Sequence, residues 1–297
     1  MSNASEIKDF LTTRRARLTP ERAGLPRYGR HRRVSGLRRE EVALLAGISV
    51  EYYTRLERGN ARGVSDDVLE SVSRALQLDE AEHSHLLDLV RTANLEQVPR
   101  RMRVTPRVRP SIARVVDAFG ELPAMVQNGR LDIVYANRLG EALYMDLFLD
   151  PVKPPNPARY LFLDPRARAF YADWDQTAHD IAAALHQEAG RNPYDRSLSD
   201  LIGLLSTRSE QFRQEWARHD VRRHLSGTKR VRHSLVGELS LDYEVLELPA
   251  DPGLTLVTYS AVPGSESAQR LSELAGWASE RHRLRSSPQM TQSHVGR

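Results

Sequence analysis

Cysteine is absent from the chain. That excludes disulfides, thiolate-held metals and a thiol nucleophile, and it fits a reducing compartment. Lysine is almost absent: only Lys8, Lys153 and Lys229 occur, and every other basic residue is arginine. No apolar run approaches the ~20 residues that span a bilayer, and the N-terminus lacks an apolar signal core. A cytoplasmic protein without a membrane partner is expected. Catalytic signatures are missing as well, with no Gly-x-Ser-x-Gly and no phosphate-binding glycine loop. His179 and His186 are seven apart on one helix face without a carboxylate–histidine motif, and His219 and His224 flank arginines that repel a metal cation. No enzyme, metal or cofactor is expected, beyond a possible small effector.

The composition, 40% hydrophobic and 28% charged over 297 residues, is that of a soluble globular chain with one or two domains. The net charge of +4 is unevenly placed. Residues 1–110 carry 21 Lys/Arg against 15 Asp/Glu, and residues 111–297 carry 22 against 24. Arginine is the better fork for phosphates and guanine edges. Basic charge gathered in the first third favours nucleic acid once a motif stands beside it.

That motif lies in residues 37–59. Val42, Leu45 and Ala46 have helical spacing, and Gly47 stops the first helix in a left-handed conformation. Ile48 fills the angle between the helices. Ser49 caps a second helix that runs to about Arg58 and ends at Gly59. Tyr53 and Leu56 face inward; Val50, Glu51, Thr54 and Arg55 face outward. Helix, glycine turn and capped helix is the helix-turn-helix pattern, whose second helix enters the major groove. The alternative is a plain helical hairpin in another all-α domain.

Leu37, Glu40, Val42, Ala43, Gly47, Ile48, Ser49, Tyr53, Leu56, Glu57 and Gly59 resemble the Cro/C1-type (XRE) helix-turn-helix family. That family often has Gln where this chain has Arg39, a departure that bears on how bases are read. Arginine still holds a phosphate. On this resemblance Val50, Glu51 and Arg55 meet base edges, Arg55 on guanine and Glu51 on cytosine N4. Arg39, Tyr52, Arg58, Asn60 and Arg62 sit on phosphates.

Before the motif, Ser5 is expected to cap a helix through about Arg17, with Ile7, Phe10 and Leu11 buried. Residues 14–39 then hold ten arginines and one acid, Glu21, broken by Pro20, Gly24, Pro26 and Gly29. Arg27, Arg30, Arg32 and Arg33 are expected along the phosphate backbone, a minor-groove arm being the alternative. After the motif, Ser65 caps a helix to about Leu76, and Asp79 starts another to about Ala93, giving five helices in residues 1–93. His83 and His85 are expected to be exposed. Residues 94–110, with three prolines among five arginines, form a basic linker.

Residues 111–264 read as a second domain. Ile112, Val115, Val116 and Phe119 line a helix; Ala124–Asn137 is a hairpin turning at Asn128-Gly129; and Asn137 caps a helix to Leu147. Residues 162–185, 198–205 and 209–218 are helical. Strands follow over about 231–236, 239–248 and 254–262. Residues 265–297 are a short helix, 268–281, and a disordered polar tail. The fold class is α+β: a five-helix head, then an antiparallel sheet with helices.

Strand, turn, strand ending in Ala136-Asn137 and then a short helix resembles the opening of a PAS-type sensor. Trp216-Ala-Arg-His-Asp-Val221 and Leu239-Ser-Leu-Asp-Tyr-Glu244 resemble the MmyB-like ligand-binding domain found behind XRE heads. The resemblance implies a small apolar ligand, with fatty acids the suggested class. Met125, Val134, Tyr135, Leu143, Phe162, Trp174, Leu185 and Trp216 are the candidate lining, though ordinary core packing explains each of them better.

The expected function is a ligand-responsive transcription regulator binding double-stranded DNA. It acts as a homodimer on a two-fold operator, since one head reads few base pairs. The alternatives are a constitutive DNA-binding factor with a protein-docking second domain, and a catalytic domain tethered to DNA.

Overall fold

The computed structural model describes residues 3–25, 34–94, 108–220 and 225–286. Arg27, Arg30, Arg32, Arg33 and most of the basic linker lie outside the described residues.

The head begins with α1 (Asn3–Arg17), which starts ahead of Ser5, so Ser5 lies within the helix and does not cap it. Ile7, Phe10 and Leu11 are buried as expected. Next come α2 (Arg39–Ala46), α3 (Val50–Glu57), α4 (Asp66–Ala75) and α5 (Glu80–Asn94). Each start has a physical cause. The Arg38 backbone N–H donates to Glu41 Oε2 at 2.6 Å; Ser49 and Ser65 accept from Tyr52 and Val68; Asp79 and Glu82 bond each other's backbone reciprocally. Gly47 ends α2 at φ 66. Gly59 is fixed twice over: it sits at φ 87, and an added Cβ would lie 2.2 Å from the Ala4 carbonyl oxygen.

The stripe of α2 is rotated from the expected one. Val42, Ala43 and Ala46 are buried, whereas Leu45 is exposed and Leu44 is 71% exposed. The small alanines face inward where α2 packs on α3 and α4.

Beyond the linker, α6 (Pro110–Ala118) precedes β1 (Ala124–Asn128) and β2 (Ile133–Ala136). Val115 of α6 is exposed, unlike the expected stripe. The hairpin turn is longer than Asn128-Gly129: the Asn128 side chain accepts from the N–H groups of Arg130 and Asp132, and Leu131 takes φ 67. Asn137 caps α7 (Arg138–Leu143), accepting from Gly140 at 2.8 Å, and α8 (Met145–Phe148) follows. The single helix expected over 162–185 is instead three: α9 (Pro157–Leu163), α10 (Arg166–Phe170) and α11 (Trp174–Arg191). Pro165, and the extended backbone of Asp164 and Tyr171, break the run. Then come α12 (Arg196–Arg208), α13 (Glu210–Trp216), β3 (Ser226–His233), β4 (Gly237–Glu247) and β5 (Leu254–Ser260). The chain closes with α14 (Glu266–Ser286).

Two compact units divide the chain: Met1–Arg103 with Ala178–Arg223, and Val104–Thr177 with His224–Arg297. In the structure the helices from residue 178 to 220 pack with the head. Ion pairs hold them there. Arg14 bonds Glu82 at 3.0 Å and Asp220 at 3.4 Å, Arg17 donates to Asp220 at 2.5 Å, and Arg191 donates to Asp88 at 3.2 Å.

In the other unit the five strands are all antiparallel, in the order β2-β1-β5-β4-β3. Ala124, Val126, Leu254 and Leu256 form one apolar face, covered by Val116 and Ile112 of α6. The expected tail helix is part of this fold. Ser265 caps α14, Leu271 and Leu274 are buried, and Arg270 donates to the Glu238 carbonyl at 2.6 Å.

Candidate DNA-binding face and ligand-binding core

Helix α3 presents two faces. Tyr53, Leu56 and Glu57 are buried, while Val50, Glu51, Arg55 and Arg58 are exposed and Thr54 half-exposed. Val50, Glu51, Thr54, Arg55, Arg58 and Asn60 line one continuous open surface. Arg62 is also exposed. Among the described residues the Arg55 guanidinium makes no hydrogen bond or ion pair; it lies over the Tyr52 ring, 4.9 Å from its centroid. Tyr52 is half-buried and packs against the head's core.

The buried Glu57, 1% exposed, is a charge hub that the sequence did not reveal. It accepts from Arg15 Nε at 2.6 Å and from Arg39 Nε, and lies 3.5 Å from the Tyr53 hydroxyl. Two arginines offset the cost of burying one carboxylate. Arg15 is turned inward and also donates to the Leu37 carbonyl, whereas Arg39 stays 45% exposed beside the start of α2. Burial beside this carboxylate pushes the Tyr53 hydroxyl upward.

His85 corrects an expectation: it is buried, not exposed. Its ring meets Phe10 edge-on at 5.1 Å and lies where a Cβ on Gly190 would collide with it. Nearby, His186 stacks on Trp216 at 3.6 Å, bonds its carbonyl at 2.8 Å, and lies 5.0 Å from His219. Burial pushes His85 down to about 3 and His186 to about 4. Both are neutral in the fold and charge in the unfolded chain near 6.5, so their contribution is intact above 6.5 and is lost as pH falls. Glu6 has the opposite sign: burial raises it from 4.5 to about 7, and its contribution is lost as pH rises through that range. Below 4.5 the histidines act unopposed by Glu6. The denaturation midpoint of the full chain is therefore expected to fall steeply in acid, and His85→Leu to flatten that limb. An unchanged acid limb would show that His85 carries none of it.

The eight pocket candidates are divided between the two units. Leu185 and Trp216 are buried in the unit that contains the head. Val134 and Tyr135 are half-buried on the α6 side of the sheet, where the Tyr135 hydroxyl donates to Asp117 at 2.8 Å. Phe162 meets Trp174 edge-on at 6.0 Å, and Arg168 stacks on Trp174 at 3.9 Å. Met125 and Leu143 are buried.

The aromatic centre of the sheet unit lies elsewhere. Tyr144, Tyr160, Phe170 and Tyr171 form a chain of ring contacts that continues to Tyr259 and Tyr243. Tyr144 donates to the Tyr259 hydroxyl at 2.9 Å. Burial pushes Tyr259 up to about 12 and raises Tyr144 and Tyr171 well above the usual tyrosine value, so all three remain hydroxyls at neutral pH. A crevice of ≈10 Å³, room for about one water, opens among Leu143, Tyr144, Leu147, Tyr160, Phe170 and His233. The buried Tyr160 hydroxyl has no hydrogen-bond partner among the described residues. Sequence reasoning missed Tyr144 and Tyr160; their only signal was tyrosine in short apolar helices.

Residues 9–86 match a helix-turn-helix domain. Residues 108–274, more than half of the chain, match the MmyB-like transcription regulator ligand binding domain. The chain belongs to the MmyB-like transcription regulators. No match was found among curated proteins. The two matches together make this a DNA-binding transcription regulator with a C-terminal ligand-binding domain. The MmyB-like match runs continuously through 178–223, the segment that packs with the helix-turn-helix head. Among the described residues no helix is long and apolar enough to cross a membrane, and no cluster of three or more His or carboxylate side chains is arranged to hold a metal.

Proposed function

We propose that this MmyB-like regulator reads an operator through Val50, Glu51 and Arg55 and answers to a small apolar, fatty-acid-like effector. The observation that carries the first half is the two-faced α3: its core face is sealed by Tyr53, Leu56 and Glu57 while the opposite face stays open. Arg30, Arg32, Arg33, Arg39, Arg58, Asn60 and Arg62 position the head on phosphates. Two copies bind a two-fold operator in the cytoplasm. The effector acts only in so far as one arrangement of the two heads holds it more tightly than another.

The tyrosine-rich centre supports an effector site because it gathers buried aromatic rings around the Tyr160 hydroxyl, which has no hydrogen-bond partner among the described residues. Its ≈10 Å³ crevice requires aromatic side chains to turn before a lipid enters. That closed packing favours the second reading, a constitutive factor whose sheet unit docks a protein. Native mass spectrometry of the full chain separates the two. A co-purifying lipid-sized mass, or a rise in melting temperature with saturated fatty acids, is expected. No adduct and no shift across chain lengths would leave the docking reading.

A further inference from the structure

The head holds its two best-placed arginines differently. Arg39 spends its Nε on the Glu57 carboxylate, an edge-on contact. Arg55 instead lies with its Cζ 4.9 Å from the centroid of the Tyr52 ring and makes no hydrogen bond or ion pair among the described residues. The distinction matters for base reading, because guanine O6 and N7 are met by the guanidinium edge and never by its face.

From this geometry we infer that Tyr52 is a specificity-determining positioning residue, a platform that sets the Arg55 fork before DNA arrives. The inference rests on the proposed base contact of Arg55. Three observations combine. Tyr52 and Arg55 are one helical turn apart, where side chains meet. Tyr52 packs against the head's core, and its backbone N–H donates to the Ser49 cap at 3.0 Å, which fixes the backbone that carries the ring. The ring contact engages no Arg55 N–H in a hydrogen bond, and it removes rotamer freedom that base contact would otherwise have to remove. The sequence grouped Tyr52 with the phosphate contacts, where its hydroxyl would matter; in the stacking role the ring matters and the hydroxyl does not.

The two roles separate in charge-neutral variants. The probe is the duplex that the wild-type full chain enriches from a randomised library, compared with an unrelated duplex of equal length. Tyr52→Phe keeps the platform and is expected to hold the specificity ratio near wild type. Tyr52→Leu removes the ring and is expected to lower that ratio about 2- to 5-fold, the scale of an exposed cation–π contact. Helical circular dichroism and melting of the variants report the fold separately. In an Arg55→Ala background Tyr52→Leu is expected to change the ratio no further. Equal losses in the Phe and Leu variants would overturn the platform and assign the hydroxyl to a phosphate. So would a Leu loss that persists without Arg55. Should Arg55→Ala leave the ratio intact, the base contact itself fails; should Arg55→Ala lower it and Tyr52→Leu not, only the platform fails.

Discussion

Replacing Arg55 with alanine is expected to weaken binding to the selected duplex by about 10- to 100-fold, the scale of one bidentate guanine contact. Binding to unrelated duplex is expected to change far less. The reason is positional. Arg55 lines the open α3 surface and its guanidinium makes no hydrogen bond or ion pair among the described residues, whereas Arg58 and Arg62 are the arginines proposed to meet the backbone. Affinities at several salt concentrations make the distinction sharp. Losing a phosphate contact flattens the dependence of log K on log salt by about one; losing a base contact leaves the slope and relaxes one position of the site. Equal losses on both duplexes with a flatter slope would move Arg55 to the phosphate class.

The second large effect is on stability. Glu57→Ala removes the carboxylate that Arg15, Arg39 and Tyr53 share, and so strands Arg15 inside the head. Breaking a buried pair by deleting one partner costs ~3–5 kcal/mol. Chemical denaturation of the full chain, followed by helical circular dichroism, is expected to show a loss of that order. Because Glu57 ties α1 and α2 to α3, the recognition helix loses its seat, and DNA binding falls on all sequences alike. A stability change under ~1 kcal/mol would show that solvent, not the two arginines, satisfies Glu57.

Local chemistry made much of the head legible. Gly47, Ser49, Ser65 and Asp79 are punctuation whose meaning depends on neighbours in sequence, and each acts as its residue type dictates. Leu45 misled because hydrophobicity favours the larger side chain, while close helix packing favoured Ala43 and Ala46. His85 was unreadable for another reason. Its neighbours Gly190 and His186 come from a helix a hundred residues away, and no periodicity announces them. The same distance hides the division of the chain. Residues 178–220 look like any helical insert between strands, and the contacts of Asp220, Arg191 and Gly190 place them with the head. The three-way break of 157–191 was partly legible, since Pro165 stands in the middle of it. Strands β1, β2, β4 and β5 were legible as β-rich runs bounded by turns; β3 was not, since the expected 231–236 runs into the turn at 234–236 and Ser226–Arg230 carries little β-branched signal.

The most direct test of a capped helix seated in the major groove replaces each guanine of the selected duplex, one at a time, with 7-deazaguanine. This deletes the N7 acceptor and leaves the pairing intact. The account predicts one sensitive guanine per half-site with the wild-type chain, and none at that position with Arg55→Ala. Sensitivity that persists at that guanine in the Arg55→Ala chain, or none at any guanine with wild type, would contradict it.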